Sequence, residues 1–314
     1  MARVLLLGST GTIGRATARA LLARGHQVVA FGRRSAEVAG VEARLGDVTA
    51  PGALAGALRG ERFDALVSCL ASRTGAPADA WAIDHDAQMN ALDAAKAAGV
   101  GRFVLLSALC VQKPRLQFQQ AKLAFERALI ASGLDYSIVR PTAFFKSLSG
   151  QVARVMAGRP FLVLGDGRLT ACKPISDDDL GAYVADCLTD PARRNRILPI
   201  GGPGPAISPR DQAAALSRLL GREVKTRSAP VALMDAIVLA LSAGGLVSRK
   251  LKDKAEFARI GRYYATESML VWDEAAQRYD ADATPQTGSE TLVDFYAQLI
   301  SGERKVDLGD HSAF

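Results

Sequence analysis

The chain has 314 residues, 49% of them hydrophobic, and its 39 Lys and Arg against 32 Asp and Glu leave a formal net charge of +7. That length buries a large core, in one elaborated domain or two smaller ones, and the four dispersed cysteines (Cys69, Cys110, Cys172, Cys187), without a C-x-x-C pair, argue against a zinc site or a disulfide framework. The positive surplus is mostly arginine spread along the chain, which suits anionic small molecules; the clusters at Arg193-Arg194-Asn195-Arg196 and Arg249-Lys250-Leu251-Lys252 have no interleaved aromatics, so nucleic-acid binding is rejected as the main function.

The first segment, Val4-Leu5-Leu6-Leu7-Gly8-Ser9-Thr10-Gly11-Thr12-Ile13-Gly14, reads as a strand and tight turn, and an Ala-rich helical pattern from Thr12 to Arg24 follows. Gly8 lets the chain turn, Gly11 lets backbone approach a pyrophosphate, and Gly14 lets the helix pack on the strand. The segment around Gly8, Thr10, Gly11, Thr12, Ile13 and Gly14 is therefore a candidate phosphate cradle of a dinucleotide site. The chain enters this strand with no targeting leader in front of it, so the cytoplasm is the expected compartment.

Short apolar runs continue at Gln27–Phe31, Val41–Leu45, Asp64–Leu70, Arg102–Ser107 and Tyr136–Arg140, with helical patterns at Asp84–Ala98 and Gln117–Ala131, and a seventh strand at Ile197–Ile200. Buried strands alternating with helices predict an α/β fold with a Rossmann-like, doubly wound parallel sheet. Phe161–Leu164 reads as a short strand outside this winding, and Ser176 caps a helix running to Leu188 that returns to the sheet. Beyond Gly204-Pro205 the pattern turns helical with no further clear strands, from a helix opened by Ser208-Pro209 to a last one opened by a capping box at Thr287-Gly288-Ser289-Glu290. Residues 1–145 and roughly 176–201 are assigned to the nucleotide-binding core; 146–175 and 202–314 form a smaller, mainly helical substrate-binding lid. The apolar stretch Pro230–Val247 is expected to be a buried or amphipathic lid helix, with a membrane-surface contact as the lesser alternative. The tail after the last helix is expected to be loosely held.

A site preferring NAD places a carboxylate about 20 residues after the glycine turn, on the ribose hydroxyls. Here Arg33 and Arg34 follow the second strand instead, which favours NADPH. Asp47, after the third strand, is a candidate acceptor for the adenine amino group, and as readily a helix cap.

With the glycine spacing, Arg33, Asp47 and Ser107 in register, the first half resembles the short-chain dehydrogenase/reductase superfamily. Members usually carry a Tyr-x-x-x-Lys after the fifth strand; the matching segment here is Phe118-Gln119-Gln120-Ala121-Lys122, which keeps the lysine and loses the tyrosine. That departure points to an atypical branch. Longer strings at Ser68–Arg73, Leu106–Pro114, Ile138–Leu148, Ala171–Ser176 and Ile260–Met269 resemble the NADPH-dependent divinyl chlorophyllide 8-vinyl reductases of phototrophs, across nearly the whole chain. The resemblance implies an oxidoreductase of chlorophyll or bacteriochlorophyll biosynthesis that reduces the 8-vinyl group of a magnesium tetrapyrrole to ethyl.

On this reading Lys122 is the leading catalytic candidate, holding the nicotinamide ribose, and Ser107 at the strand edge contacts cofactor or substrate. Leu70, Arg140 and Pro141 complete the cofactor set; Phe144, Phe145, Lys146, Tyr263 and Tyr264 are the candidate substrate residues, and no protein metal site is expected. The proton donor stays open among Tyr263, Tyr264, Lys146, Lys173, Cys110 and bulk water. Partners other than the pigment, peripheral contact with the photosynthetic membrane and the oligomeric state stay open as well. Two further readings stand beside this one: a reductase of a small conjugated enone or quinone, and an NADP(H)-sensing regulator without chemistry.

Overall fold

In a computed structural model, residues 1–245 and 248–306 are described. The strands run β1 (Arg3–Leu7), β2 (Gln27–Gly32), β3 (Glu42–Leu45), β4 (Ala65–Ser68), β5 (Arg102–Leu106), β6 (Asp135–Pro141), β7 (Phe161–Leu164) and β8 (Arg196–Ile200). All but β7 form one seven-stranded sheet in the order β3-β2-β1-β4-β5-β6-β8, and β1 pairs in parallel with both β2 and β4. The winding reverses at β1, so the crevice at the carboxyl ends of β1 and β4 is where this class of sheet binds ligands. The apolar runs are continuous because both faces are covered: Val4 to Leu7 and Phe103 to Val104 have no exposed surface.

Four longer helices accompany the sheet: α1 (Thr12–Ala23), α2 (Ala87–Ala97), α3 (Gln117–Ile130) and α4 (Asp177–Asp186). The expected helix from Asp84 begins earlier. A short α-helical segment at Pro77–Ala80 leads into a π-helical turn, Trp81–Asp86, before α2. The helix α4 returns to the sheet side as the sequence predicts and packs along α1, with Arg19 on Asp178 at 2.6 Å and Arg24 on Asp186 at 2.7 Å.

Two compact units result. The first comprises Met1–Arg73, Pro77–Pro141 and Asp177–Pro199; the second comprises Thr74–Ala76, Thr142–Ser176 and the chain from Ile200 onward. The second unit contains α5 (Pro209–Leu220), α6 (Val231–Gly244), α7 (Arg249–Thr266) and α8 (Leu292–Ser301). It also contains three short strands that the sequence reading missed: β9 (Thr226–Ala229), parallel to β7, and the antiparallel pair β10 (Val271–Asp273) and β11 (Arg278–Asp280). None exceeds four residues, too few to show an alternation.

Ser208 and Asp211 cap α5 reciprocally, as Ser208-Pro209 foretells. The last helix is capped by Thr291 with Asp294, four residues later than expected from Thr287-Gly288-Ser289-Glu290; the same residue types recur at both places and only the second meets the helix backbone. Of the buried or amphipathic helix expected at Pro230–Val247, the buried alternative is corrected. The helix α6 forms, but no residue in it is buried, and Leu239 is 73% exposed. Leu246, Val247 and the tail from 307 onward lie outside the described residues.

The core of the second unit gathers Phe145, Val152, Phe161, Val163, Leu216, Phe295 and Tyr296. Phe145 is 1% exposed, and its ring lies 5.3 Å from that of Phe295. Replacing Phe145 by Ala empties that position, and the expected loss is about 3–5 kcal/mol of stability, read as a lower urea midpoint.

Candidate active site at the carboxyl edge of the sheet

The turn after β1 is built by contact rather than by side chains. Gly8 has φ of +75°, and a Cβ there would stand 2.5 Å from the Cys69 carbonyl oxygen; a Cβ on Gly14 would run into the Gly8 carbonyl. These contacts draw the start of α1 onto the strand end. Gly11 occupies the N-cap of α1 and supplies no side-chain cap, so among the described residues no capping side chain meets the first amides of the helix, from Thr12, Ile13 and Gly14. Arg15 braces the turn from the side, donating to the Thr10 carbonyl at 2.6 Å. An uncapped, partly exposed helix start beside a left-handed glycine fits a pyrophosphate.

Arg33 and Arg34 both lie exposed just beyond β2, and no carboxylate occupies that strand end. Asp47, also exposed, accepts from the Thr49 amide at 3.0 Å and the Thr49 hydroxyl at 2.8 Å. Those two hydrogen bonds, the amide first, hold its carboxyl below the usual carboxylate range, with a smaller contribution from Arg33. Leu70 is half-buried beyond β4, its amide 3.4 Å from the Ser68 hydroxyl. Pro141 ends β6 and is buried.

The helix α3 turns Phe118, Lys122 and Glu126 inward on one face, four residues apart, with Phe118 9% exposed at the tyrosine position. Lys122 Nζ donates to Asp84 Oδ1 at 2.9 Å. Asp84, 2% exposed, lies in the π-helical turn and also accepts from the Ser72 hydroxyl at 2.6 Å and the Ser72 amide at 3.3 Å. The carboxylate thus takes three donors, and Lys122 spends one of its three N–H groups on it.

One turn further along α3, Glu126 accepts from the Ser107 hydroxyl at 2.5 Å and from Arg140 Nε at 3.2 Å, and forms an ion pair with the same guanidinium through its other oxygen. The expectations for Ser107 and Arg140 as direct contacts therefore meet an internal network. Both arrive at the sheet edge, but the proton of Ser107 and the charge of Arg140 are directed at Glu126. Asp84, Ser72 and Glu126 escaped the sequence reading. Glu126 had a signal, since it stands four residues after Lys122 on the apolar face of the helix; Asp84 had none, because its partner comes from another element.

In the second unit, Phe145 is corrected from a substrate residue to a core residue by its burial. Phe144 and Lys146 are half-buried beside it. Tyr263 is buried and Tyr264 is 40% exposed on α7, their rings edge to face at 5.6 Å. Lys173, a candidate proton donor, directs Nζ to the Thr284 carbonyl at 3.1 Å.

The comparisons decide the family. A family model described as NAD(P)H-binding matches residues 8–191. The divinyl chlorophyllide a 8-vinyl-reductase of Oryza sativa subsp. indica, named as chloroplastic, is 47% identical over 99% of this chain and 82% of its own length. The chain belongs to the divinyl chlorophyllide a 8-vinyl-reductase family. The family's Arabidopsis thaliana member is 44% identical, over 98% of this chain and 79% of its own length. Among solved structures, an NADPH-dependent quinone oxidoreductase from Escherichia coli, complexed with NADPH, aligns at a TM-score of 0.69 with 20% identity over 95% of this chain and 99% of its own, which shows the shared fold. Family membership brings an NAD(P)H-binding domain and oxidoreductase relatives, and among the described residues no helix is long and apolar enough to cross a membrane.

Two measurements test the buried groups. Glu126→Gln leaves the Arg140 guanidinium without its counter-charge, and the expected cost is about 3 kcal/mol or more in urea unfolding. Burial pushes the Cys69 and Cys172 thiols up to about 12 and Cys187 up to about 11. At pH 8 a thiol at 12 is thiolate to about one part in ten thousand, so iodoacetamide is expected to leave Cys69 and Cys172 unlabelled in the folded enzyme and to label them after denaturation.

Proposed function

We propose that this chain reduces the 8-vinyl group of divinyl chlorophyllide, or of divinyl protochlorophyllide, to ethyl with NADPH. The supporting observation is the inward face of α3, where Lys122 is kept and the tyrosine position is a buried phenylalanine. A tyrosine acid serves ketone reduction, where a carbonyl oxygen becomes a hydroxyl. A vinyl carbon conjugated with a macrocycle needs no such oxygen partner, because the ring system spreads the developing charge.

NADPH held at the glycine turn would supply the hydride, and a proton from a nearby acid or from water would complete the ethyl group. The chain's part is placement and charge. The amides at the start of α1 meet the pyrophosphate, and Arg33 and Arg34 meet the additional ribose phosphate. Lys122, fixed by Asp84, offers its remaining N–H groups to the nicotinamide ribose and sets a positive charge beside the site where negative charge develops. Asp84 and Ser72 act as positioning residues, because they hold the ammonium in one place before substrate arrives. Glu126 holds Ser107 and Arg140 at the edge in the same way.

The substrate is a flat apolar ring. Burying about 500 Å² of it at ~25 cal/mol/Å² gives an upper bound near 12 kcal/mol before association costs. Phe144, Lys146, Tyr263 and Tyr264 are its candidate contacts in the second unit, with Lys146 suited to a propionate.

An anaerobic assay with divinyl chlorophyllide a and either NADPH or NADH tests the reading. The expected result is a pigment heavier by two hydrogens with NADPH and little turnover with NADH; NADPH binding without pigment reduction moves the assignment to a small enone or quinone substrate. Arg33→Ala is expected to raise the KM for NADPH by roughly ten- to a hundredfold and leave that for NADH unchanged. Lys122→Ala is expected to lower kcat/KM by about a hundredfold, and full activity in that variant removes the lysine from the mechanism.

A further inference from the structure

Helix α6 and the first turns of α7 carry none of the candidate site residues; Tyr263 and Tyr264 lie in the last turn of α7. Helix α6 has 14 residues, so it is about 21 Å long, well short of the ~30 Å hydrocarbon thickness of a bilayer. At 100° per residue, its half-buried positions Met234, Val238 and Leu241 fall on one side, and its exposed positions cover the rest of the circumference. That exposed side is Ala232, Leu233, Ala236, Ile237, Leu239, Ala240 and Ala243, with Asp235 at its margin. Asp235 forms an ion pair with Arg262 of α7, so the acidic group at the border of the apolar face is already neutralised.

The partner helix supplies the opposite character. Between residues 230 and 266 there are six basic residues, Arg249, Lys250, Lys252, Lys254, Arg259 and Arg262, against three acidic ones, Asp235, Asp253 and Glu256. Arg259 reaches across to the Ser242 hydroxyl at 2.9 Å and bonds Glu256 at 3.0 Å. Lys250, Lys252 and Lys254 are exposed on the first turns of α7, at the end of the hairpin where Gly244 and Leu251 meet. An apolar face and a basic end on one hairpin are the two ingredients of attachment to an anionic interface.

We propose that the α6–α7 hairpin is a membrane-docking element, with α6 lying in the plane of an anionic lipid surface and Lys250, Lys252 and Lys254 at its headgroups. The face is convex, with Leu239 standing 73% exposed, which suits acyl chains and not a ring-shaped ligand that needs a concave pocket. The cluster of like charges at the hairpin end favours an anionic surface over a second copy of the same hairpin. The long lysine stems reach along the interface while their ammonium groups stay at headgroup depth. The proposal stands apart from the reductase reading, since α6 and Lys250, Lys252 and Lys254 are not among the candidate site residues.

Co-sedimentation of the full chain with vesicles tests it, using phosphatidylcholine alone and an equal mixture with phosphatidylglycerol. Binding is expected to the anionic vesicles at low salt and to weaken as salt rises. Lys250→Ala with Lys252→Ala is expected to lower the partition coefficient by roughly twenty- to thirtyfold, and Leu239→Glu by about tenfold or more, with unchanged thermal midpoints because all three positions are exposed. Absence of anionic-vesicle binding, or binding that these variants leave intact, overturns the proposal. So does a dimer in lipid-free solution that Leu239→Glu dissociates, which assigns the face to a second copy. A raised KM for pigment in Leu239→Glu without any vesicle binding assigns it to the substrate. Vesicle binding by a chain that fails to reduce pigment leaves the docking element in place and removes only the reductase reading.

Discussion

Helix α3 carries a positive and a negative side chain into the interior on the same face, and each must find an opposite charge there. Lys122 finds Asp84, and Glu126 finds Arg140. Burying an unpaired charge costs several kcal/mol, so these two pairs fix more than themselves. They set how α3 lies against β5 and β6, where Ser107 and Arg140 leave the sheet, and where the helical segment containing Asp84 must run. The arrangement of the whole candidate edge follows from satisfying two charges on one helix. Apolar packing around Phe103, Phe125 and Ile138 supplies the bulk of the stabilisation, and it tolerates more than one rotation of a helix; paired buried charges tolerate far fewer.

The two networks also explain how a reductase site keeps order after losing its usual tyrosine. Phe118 fills the volume with an apolar ring and adds no buried hydroxyl to satisfy. Lys122 then needs a fixed acceptor of its own, and Asp84 with Ser72 provides one. On the proposed reading, reduction of a carbon–carbon double bond asks for a placed positive charge more than for a phenolic acid.

The sheet was legible because its signal is local. Each buried strand is an unbroken apolar run bounded by turn residues, and the three glycines at 8, 11 and 14 admit few alternatives once a strand precedes them and a helix follows. What was not legible depended on partners distant in the chain. Thr226-Arg227-Ser228-Ala229 is polar and becomes a strand through pairing with β7. The exposure of α6 cannot be read from its composition, because an apolar helix in sequence is the same string whether a neighbour covers it or not. Of the candidate site, the tight glycine turn into α1 was legible through its spacing and the inward lysine of α3 through the resemblance; the carboxylates that hold Lys122 and Ser107 were missed. Asp84 is one acid among many in a helical pattern until the fold brings it to Lys122.

The turn at Trp81–Asp86 has a consequence for how this segment tolerates change in length. A π-helical turn is an α-helix that has accommodated one additional residue, and each residue of an α-helix rotates its neighbours by about 100°. Removing His85 or Asp86, between Asp84 and α2, would restore regular winding and swing everything on the near side of the deletion round the axis by that amount. Asp84 would then face away from Lys122 while every apolar residue of α2 kept its place. The register of one carboxylate is thus stored in the count of residues in a single turn, and shortening this helix by one is a different kind of damage from substituting any residue in it.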